Sequence, residues 1–317
     1  MPELVSILMP VFNAERTIAK AIDSCLAQSY LNIEIIVLDN GSRDRSAEIV
    51  KSIPDSRIRL IESETNIGIA AGRNRLLKEA KGSFIAWLDA DDEMLENRIE
   101  KQFAYFSDYP ELDLIGTWIY VEQNQIKKAP LSHSAISAAL WFKNCMYQPS
   151  IMSRNFYQNE NIFYDETYAN TLEDYELWYR LKDKKKFANI DCPLSLYKLS
   201  NAEELKAKKT LGKFEENVDR LWSVKWKEIS TPIDENDKKL FQHFLYNNEG
   251  LSAQEIVSLL KTLQIIENQF KFENYSLICA FHRLRIWRNA NAFGKLTNLS
   301  LLLNIFQYPS IQKLHLR

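Results

Sequence analysis

Four carboxylates fall within five positions, at Asp89, Asp91, Asp92 and Glu93, directly after the apolar run FIAWL. Alternation as D-x-D points two side chains to one side of an extended segment. Hard carboxylate oxygens in that arrangement suit Mn²⁺ or Mg²⁺, with substrate phosphates completing the shell. Other uses compete. A solvated acidic loop that starts the next helix would favour the same residue types. An EF-hand loop needs Gly at position six and Glu at position twelve; counted from Asp89 these are Met94 and Glu100, so only the second fits. An aspartyl phosphatase takes Thr or Val two positions after its second Asp near the chain start, whereas Glu93 stands there, three strands in. The favoured reading is a divalent cation holding a diphosphate. A second acidic pair, Glu173 and Asp174 in LEDYELWYRL, opens a helical pattern and supplies candidate proton acceptors.

Elements must bring these groups together. Residues 5–12 and 33–39 are continuous apolar runs, the pattern of strands covered on both faces. Shorter runs at 58–62, 84–89 and 112–121 predict three more strands. Helical patterns intervene at 14–28, from 46, at 70–80 and at 96–106, with Asn13 as a helix cap and Gly82 as a terminator. Such alternation predicts right-handed crossovers and a parallel sheet, with ligands beyond the carboxyl ends of the strands. Asp39, Asp89 and the segment after Pro10 stand at such ends. Residues 127–200 are irregular and aromatic, with a helix at 172–184, and from 201 the chain reads as amphipathic helix.

The 317 residues allow one large or two ordinary domains. Charged residues are 26% and net charge is −2, so global charge predicts no nucleic-acid partner. Cys25, Cys145, Cys192 and Cys279 are widely spaced, which argues against a disulfide framework or zinc site and fits a reducing, cytoplasmic compartment. No secretory signal is expected at the N-terminus, and no run reaches the roughly 18 apolar residues of a membrane span. His133, His243, His282 and His315 lack ligand spacing, and a G-x-G-x-x-G dinucleotide signature is absent.

VSILMPVFNAERTIAKAIDSCLAQSY, IEIIVLDNGSRDRS, NIGIAAGRNRLLKEAKGSFIAWLDADDE and LEDYELWYRL occur in that order. Together they resemble the family 2 inverting glycosyltransferases over about residues 4–200. The resemblance implies the GT-A fold, a Rossmann-like α/β domain with a mostly parallel sheet flanked by helices. It divides the chain into a domain at 1–200, with a nucleotide-sugar half at 1–120 and an acceptor half at 121–200, and a helical region at 201–317. It implies that Pro10, Phe12, Asn13 and Glu15 line the nucleotide end and that Asp39 meets the base. Asn66, Gly68, Arg73 and Asn74 would face the diphosphate. Asp89, Ala90 and Asp91 form the D-x-D, with Asp91 as metal ligand and Asp89 nearer the ribose. Asp174 matches the catalytic base, with Glu173 beside it. Asn40 stands where the family often has Asp, so altered hydrogen bonding is expected there.

The implied function is metal-dependent, inverting transfer of a hexose or N-acetylhexosamine from a nucleotide sugar, UDP-linked, to a hydroxyl of a cell-surface glycan or lipid-linked acceptor, in polysaccharide or lipopolysaccharide synthesis. The alternative is an inactive nucleotide-sugar-binding module, against which Asp91 and Asp174 argue. A nucleotidyltransferase would want a Gly-rich basic loop after the first strand, which PVFNAERT is not. Blander roles compete at single positions: surface for Arg73, helix dipole for Glu15, core for Phe12, packing for Trp178 and Tyr179. The segment after Glu273 has no acidic residue but carries Arg283, Arg285, Arg288, Lys295, Lys313 and Arg317. That composition allows either a peripheral contact with the cytoplasmic face of a membrane or a solvated helical face.

Overall fold

The computed structural model describes residues 3–121, 125–168, 171–198, 213–246 and 251–270, with residues 278, 279, 282, 285 and 286. Those within 1–140 and 144–217 form one compact unit, and those within 141–143 and from 218 onward form a second.

The first unit is built on a nine-stranded sheet. Strand β1 (Val5–Val11) is buried at all seven positions and pairs in parallel with β2 (Ile33–Asp39) and β4 (Phe84–Trp87). β3 (Ile58–Glu62) extends the parallel set beyond β2. Crossover helices α1 (Ile18–Leu26), α2 (Ser46–Ser52) and α3 (Ile69–Glu79) connect these strands. A strand with helices on both faces has no solvated side, which is why these runs carry no polar alternation.

Beyond β4 the sheet is mixed. The order is β3-β2-β1-β4-β8-β6-β9-β5, with β7 (Gln125–Lys127) on β6 (Leu114–Val121). β8 (Met152–Arg154) enters antiparallel between β4 and β6, so the strand at 114–121 is not β4's parallel neighbour. β9 (Phe187–Leu196) runs parallel to β6, and its far end takes up β5 (Glu93–Met94) antiparallel. Helix α4 (Arg98–Asp108) follows β5, so Asp92 and Glu93 do not begin a helix. Helices α5 (His133–Phe142) and α6 (Glu173–Leu181) complete this part of the chain order.

A buried cation stitches the mixed part. The Arg98 guanidinium donates to the carbonyls of Trp87 at 3.0 Å, Ile151 at 3.1 Å and Pro149 at 2.6 Å. Its Nε donates to Gln102 Oε1 at 3.0 Å. Burial lowers the Arg98 pKa to about 10, which still leaves it charged at neutral pH. Gly82 also differs from expectation. Helix α3 ends at Glu79, and Gly82 serves a close approach: a Cβ there would lie 2.6 Å from the Leu4 carbonyl oxygen.

The second unit is helical, with α7 (Phe214–Trp226), α8 (Glu235–Tyr246) and α9 (Ala253–Phe270). Its core is aromatic. Trp141 meets Trp222 edge-on at 5.1 Å and Trp226 at 5.6 Å, and Phe241 closes the group 5.8 Å from each of the latter two. Offset and edge-on rings satisfy their quadrupoles while burying large areas. Among the described residues no helix is long and apolar enough to cross a membrane. The basic residues of the chain end other than Arg285 lie outside the described residues, as does His315.

Candidate active site

Strands β1, β2 and β4 end at one edge of the sheet, with Val11 in register with Asp39 and Leu8 with Trp87. β1 continues into a polar loop. Pro10 is buried within the strand, whereas Phe12 is 49% exposed and so is not core. Asn13 adopts φ +52°, in the left-handed region that Asn tolerates, and does not cap α1, which begins at Ile18 after Thr17. Instead Asn13 Oδ1 accepts from the Arg43 amide at 2.8 Å, and the Asn13 amide donates to Ser42 Oγ at 2.9 Å. Glu15 Oε2 accepts from the Arg45 amide at 3.2 Å. These residues lace the loop after β1 to the loop after β2. Asp39 is buried at the end of β2 and accepts from the Ser42 amide at 3.3 Å.

The loop before α3 is tightly held. Asn66 Oδ1 accepts from the Gly68 amide at 2.8 Å, and Gly68 has φ +87°, which a side chain would strain. Helix α3 then carries Arg73 and Asn74 inward, both buried. Asn74 donates to the Tyr164 carbonyl and to Glu166 Oε1, each at 2.9 Å, and accepts from the Tyr164 amide at 2.8 Å. Its amide therefore fixes the 164–166 segment.

Arg73 joins the two acidic groups picked out by the sequence. Its guanidinium donates to Glu173 Oε1 at 2.5 Å and to Asp89 Oδ1 at 3.3 Å. The Trp87 and Tyr164 rings flank it at 5.9 and 5.6 Å. Asp89 is 28% exposed, Ala90 is buried and Asp91 is exposed, in a turn closed by the Asp92 amide donating to the Asp89 carbonyl at 3.1 Å. Asp92 points away from solvent: its Oδ1 accepts from the Lys198 amide at 2.8 Å. Burial, then the charge of Asp89, pushes its pKa up to about 9. Asp92 is thus an anchor between β5 and the chain leaving β9. Tyr197 lies among these carboxylates: burial and then Asp89, Asp92, Asp91 and Asp174 raise its pKa.

Leu172, at φ +64°, turns the chain so that Glu173 and Asp174 begin α6. Burial pushes the Glu173 carboxyl up to about 7, against the pull of Arg73. Burial also raises Asp174, while Arg73, the Tyr175 amide and Asn144 pull it back. Asp174 Oδ1 accepts from the Tyr175 amide at 2.7 Å and its Oδ2 from Asn144 Nδ2 at 2.9 Å. Asn144 Oδ1 accepts from the Met146 amide at 3.1 Å, which fixes the amide so that its NH₂ faces Asp174. Nothing in the sequence marked Asn144, because it lies 30 residues from its partner in an irregular segment. Trp178 and Tyr179 are buried, so they pack.

The arrangement sets Glu173 and Asp89 on either side of one buried guanidinium, with Asp174 next along the chain from the first and Asp91 two positions from the second. Among the described residues no group of three or more His, Cys, Asp or Glu side chains could hold a metal ion alone. Asp89 and Asp91 offer only carboxylate oxygens, a donor set that fits a hard divalent cation sharing its shell with substrate.

Residues 6–173 match the family model described as glycosyl transferase family 2. A relative from Escherichia coli, UDP-Glc:alpha-D-GlcNAc-diphosphoundecaprenol beta-1,3-glucosyltransferase WfgD, is 33% identical over 73% of this chain and 88% of its own length. An uncharacterized glycosyltransferase of Haemophilus influenzae is 43% identical, over 39% of this chain and 51% of its own length, so the chain spans about half of that relative. The crystal structure of S. aureus TarS 1-349 in complex with UDP-GlcNAc superposes with a TM-score of 0.60 at 17% identity, covering 93% of each chain. At that identity the likeness establishes the fold, the GT-A architecture.

Proposed function

The chain belongs to glycosyl transferase family 2, a family of glycosyltransferases, and from that premise we propose that it transfers a hexose from a UDP-linked donor to a lipid-linked or cell-surface glycan hydroxyl, with inversion. The carrying observation is the Asp89–Arg73–Glu173 bridge, which holds the strand-end carboxylates against the start of α6. The E. coli relative's name supports UDP-glucose as the first donor to test and a sugar diphosphate on a polyprenol as the acceptor class. A hexosamine donor is the next candidate.

In this reading Asp39 receives the base and the Phe12 ring covers it. Asn66 approaches the diphosphate through its side-chain NH₂, and Gly68 shapes the turn that lets it come close. Asp91 and Asp89 hold Mn²⁺ or Mg²⁺, which when bound offsets the negative charge gathering on the leaving diphosphate. Asp174 removes the proton from the attacking hydroxyl, while Asn144 and the Tyr175 amide keep its carboxylate oriented. Glu173 is assigned to balance Arg73, whose guanidinium donates to its Oε1 at 2.5 Å. One displacement yields a β-linked product from an α-linked donor. The basic chain end is proposed to contact the cytoplasmic face of a membrane, where anionic lipids attract Lys and Arg.

Donor hydrolysis and transfer with Mn²⁺, and after EDTA, test the reading. Asp174→Asn is expected to lower kcat by about 10²–10⁴-fold while UDP still binds. Asp91→Asn is expected to remove metal-stimulated turnover. Full activity in EDTA, or normal transfer by Asp174→Asn, defeats the corresponding assignment.

A further inference from the structure

We propose that Asn40 is a positioning residue for the donor: its amide clamps the 66–68 loop and so sets where α3 begins. The inference rests on the reading of that loop as donor-facing.

Asn40 is buried at the carboxyl end of β2. Its Nδ2 donates to Asn66 Oδ1 and to the Gly68 carbonyl, each at 3.2 Å. Its Oδ1 accepts from the Ile67 amide at 3.0 Å. One side chain therefore holds three consecutive residues. The chemistry requires an amide, since two partners are acceptors and one is a donor. A carboxylate of the same shape keeps the Ile67 bond but turns a negative oxygen toward two other oxygens. A flipped amide does the same with a carbonyl.

Two glycines show how closely the pieces fit. A Cβ on Gly41 would lie 2.5 Å from the Thr65 carbonyl carbon and 2.6 Å from the Asn66 nitrogen, so backbone packs on backbone at this point. A Cβ on Gly72, in the first turn of α3, would lie 3.6 Å from Asn40 Nδ2. Asn40 is thus enclosed by the loop on one side and by the helix on the other. The helix start is set by Gly68, and five residues later the same helix presents Arg73 to Asp89 and Glu173. Any shift of the 66–68 loop is passed to Arg73 along a rigid helix.

The test uses Asn40→Asp in the full-length chain, with two readouts. Hydrogen exchange across residues 64–75 is expected to accelerate, with β1 and β6 unchanged. KM for UDP-glucose in donor hydrolysis is expected to rise about tenfold or more, with kcat changed less, because a buried acceptor facing acceptors forfeits more than an ordinary hydrogen bond. A purely structural role would lower thermal stability and the folded fraction, leaving KM of the folded enzyme unmoved. If Asn40→Asp does not fold, Asn66→Ala, at an exposed position, removes one of the three partners and is expected to loosen the same segment. Unchanged exchange in the folded variant would overturn the clamp. Faster exchange with an unchanged KM would also overturn the proposal, leaving Asn40 a purely structural clamp, whereas lack of UDP-glucose hydrolysis by the unaltered protein would defeat the donor-site reading itself.

Discussion

Arg73 holds its charge with its side chain only 5% exposed, between Glu173 and Asp89. Removing one member of a buried pair leaves an uncompensated charge, so Arg73→Ala is expected to cost about 3–5 kcal/mol in urea unfolding. Arg73→Lys keeps the charge but loses the planar fork that reaches both carboxylates. The raised Glu173 pKa has a defined consequence for stability. Its folded value of about 7 exceeds the ordinary 4.5. The associated stability is therefore complete below about pH 4.5 and is lost as pH rises toward about 7. Comparing wild type with Glu173→Gln over that window reads this directly: wild type should lose ground as pH rises. If Asp174 is the base, as proposed, the same direction of shift moves the rise of kcat with pH above the ordinary Asp value. Asn144→Ala removes a hydrogen bond that favours the charged form, and is expected to move that limb to higher pH. An unmoved profile would remove Asn144 from this role.

At the level of elements, turns decide how the strand ends meet. Gly41 combines φ +75° with a backbone contact that leaves no room for Cβ, so Gly41→Ala should cost more than about 1 kcal/mol, measured as a shift in unfolding midpoint. The first four parallel strands and their helices were legible because each strand is covered on both faces and reads as an unbroken apolar run. β5, β7 and β8 were not. Strands of two or three residues show no period, and their existence depends on partners up to about a hundred residues away, as in Glu93 opposite Leu196. The same limit explains Asp92. Its place beside Asp91 suggested a helix start, whereas its carboxyl is bound by the Lys198 amide, a contact no local pattern announces. Asn13 failed as a cap for a different reason: its left-handed backbone hands its side chain to the 43–45 loop.

At the scale of the whole molecule, the proposed site residues all lie in the first unit, and the described part of the second is held by rings. Trp222 is fully buried among Trp141, Trp226 and Phe241, so Trp222→Ala should cost about 3–5 kcal/mol, read as a lowered thermal midpoint. The helical character of this region was legible from its amphipathic pattern, but the aromatic knot was not, because Trp141 joins from a distant part of the sequence. Pairing across long separations escapes local reading in both units. At the site, the residue types were readable and the bonds between them were not. The sequence favoured Asp174 over its neighbour Glu173 by resemblance alone; the bonds that separate them, Arg73 to Glu173 and Asn144 to Asp174, were not readable.

If the donor binds at Asp89 as proposed, the Arg73 bridge makes the proton a participant in its uptake. One guanidinium serves two carboxylates, and Asp89 is the weaker partner at 3.3 Å. A ligand that takes over Asp89 leaves Arg73 to Glu173 alone and lowers that carboxyl's affinity for its proton. Binding near neutral pH should then release protons into the buffer. Calorimetric heats of UDP binding should accordingly vary with the ionisation enthalpy of the buffer, and Glu173→Gln should reduce that variation to the part owed to the phosphate of UDP itself.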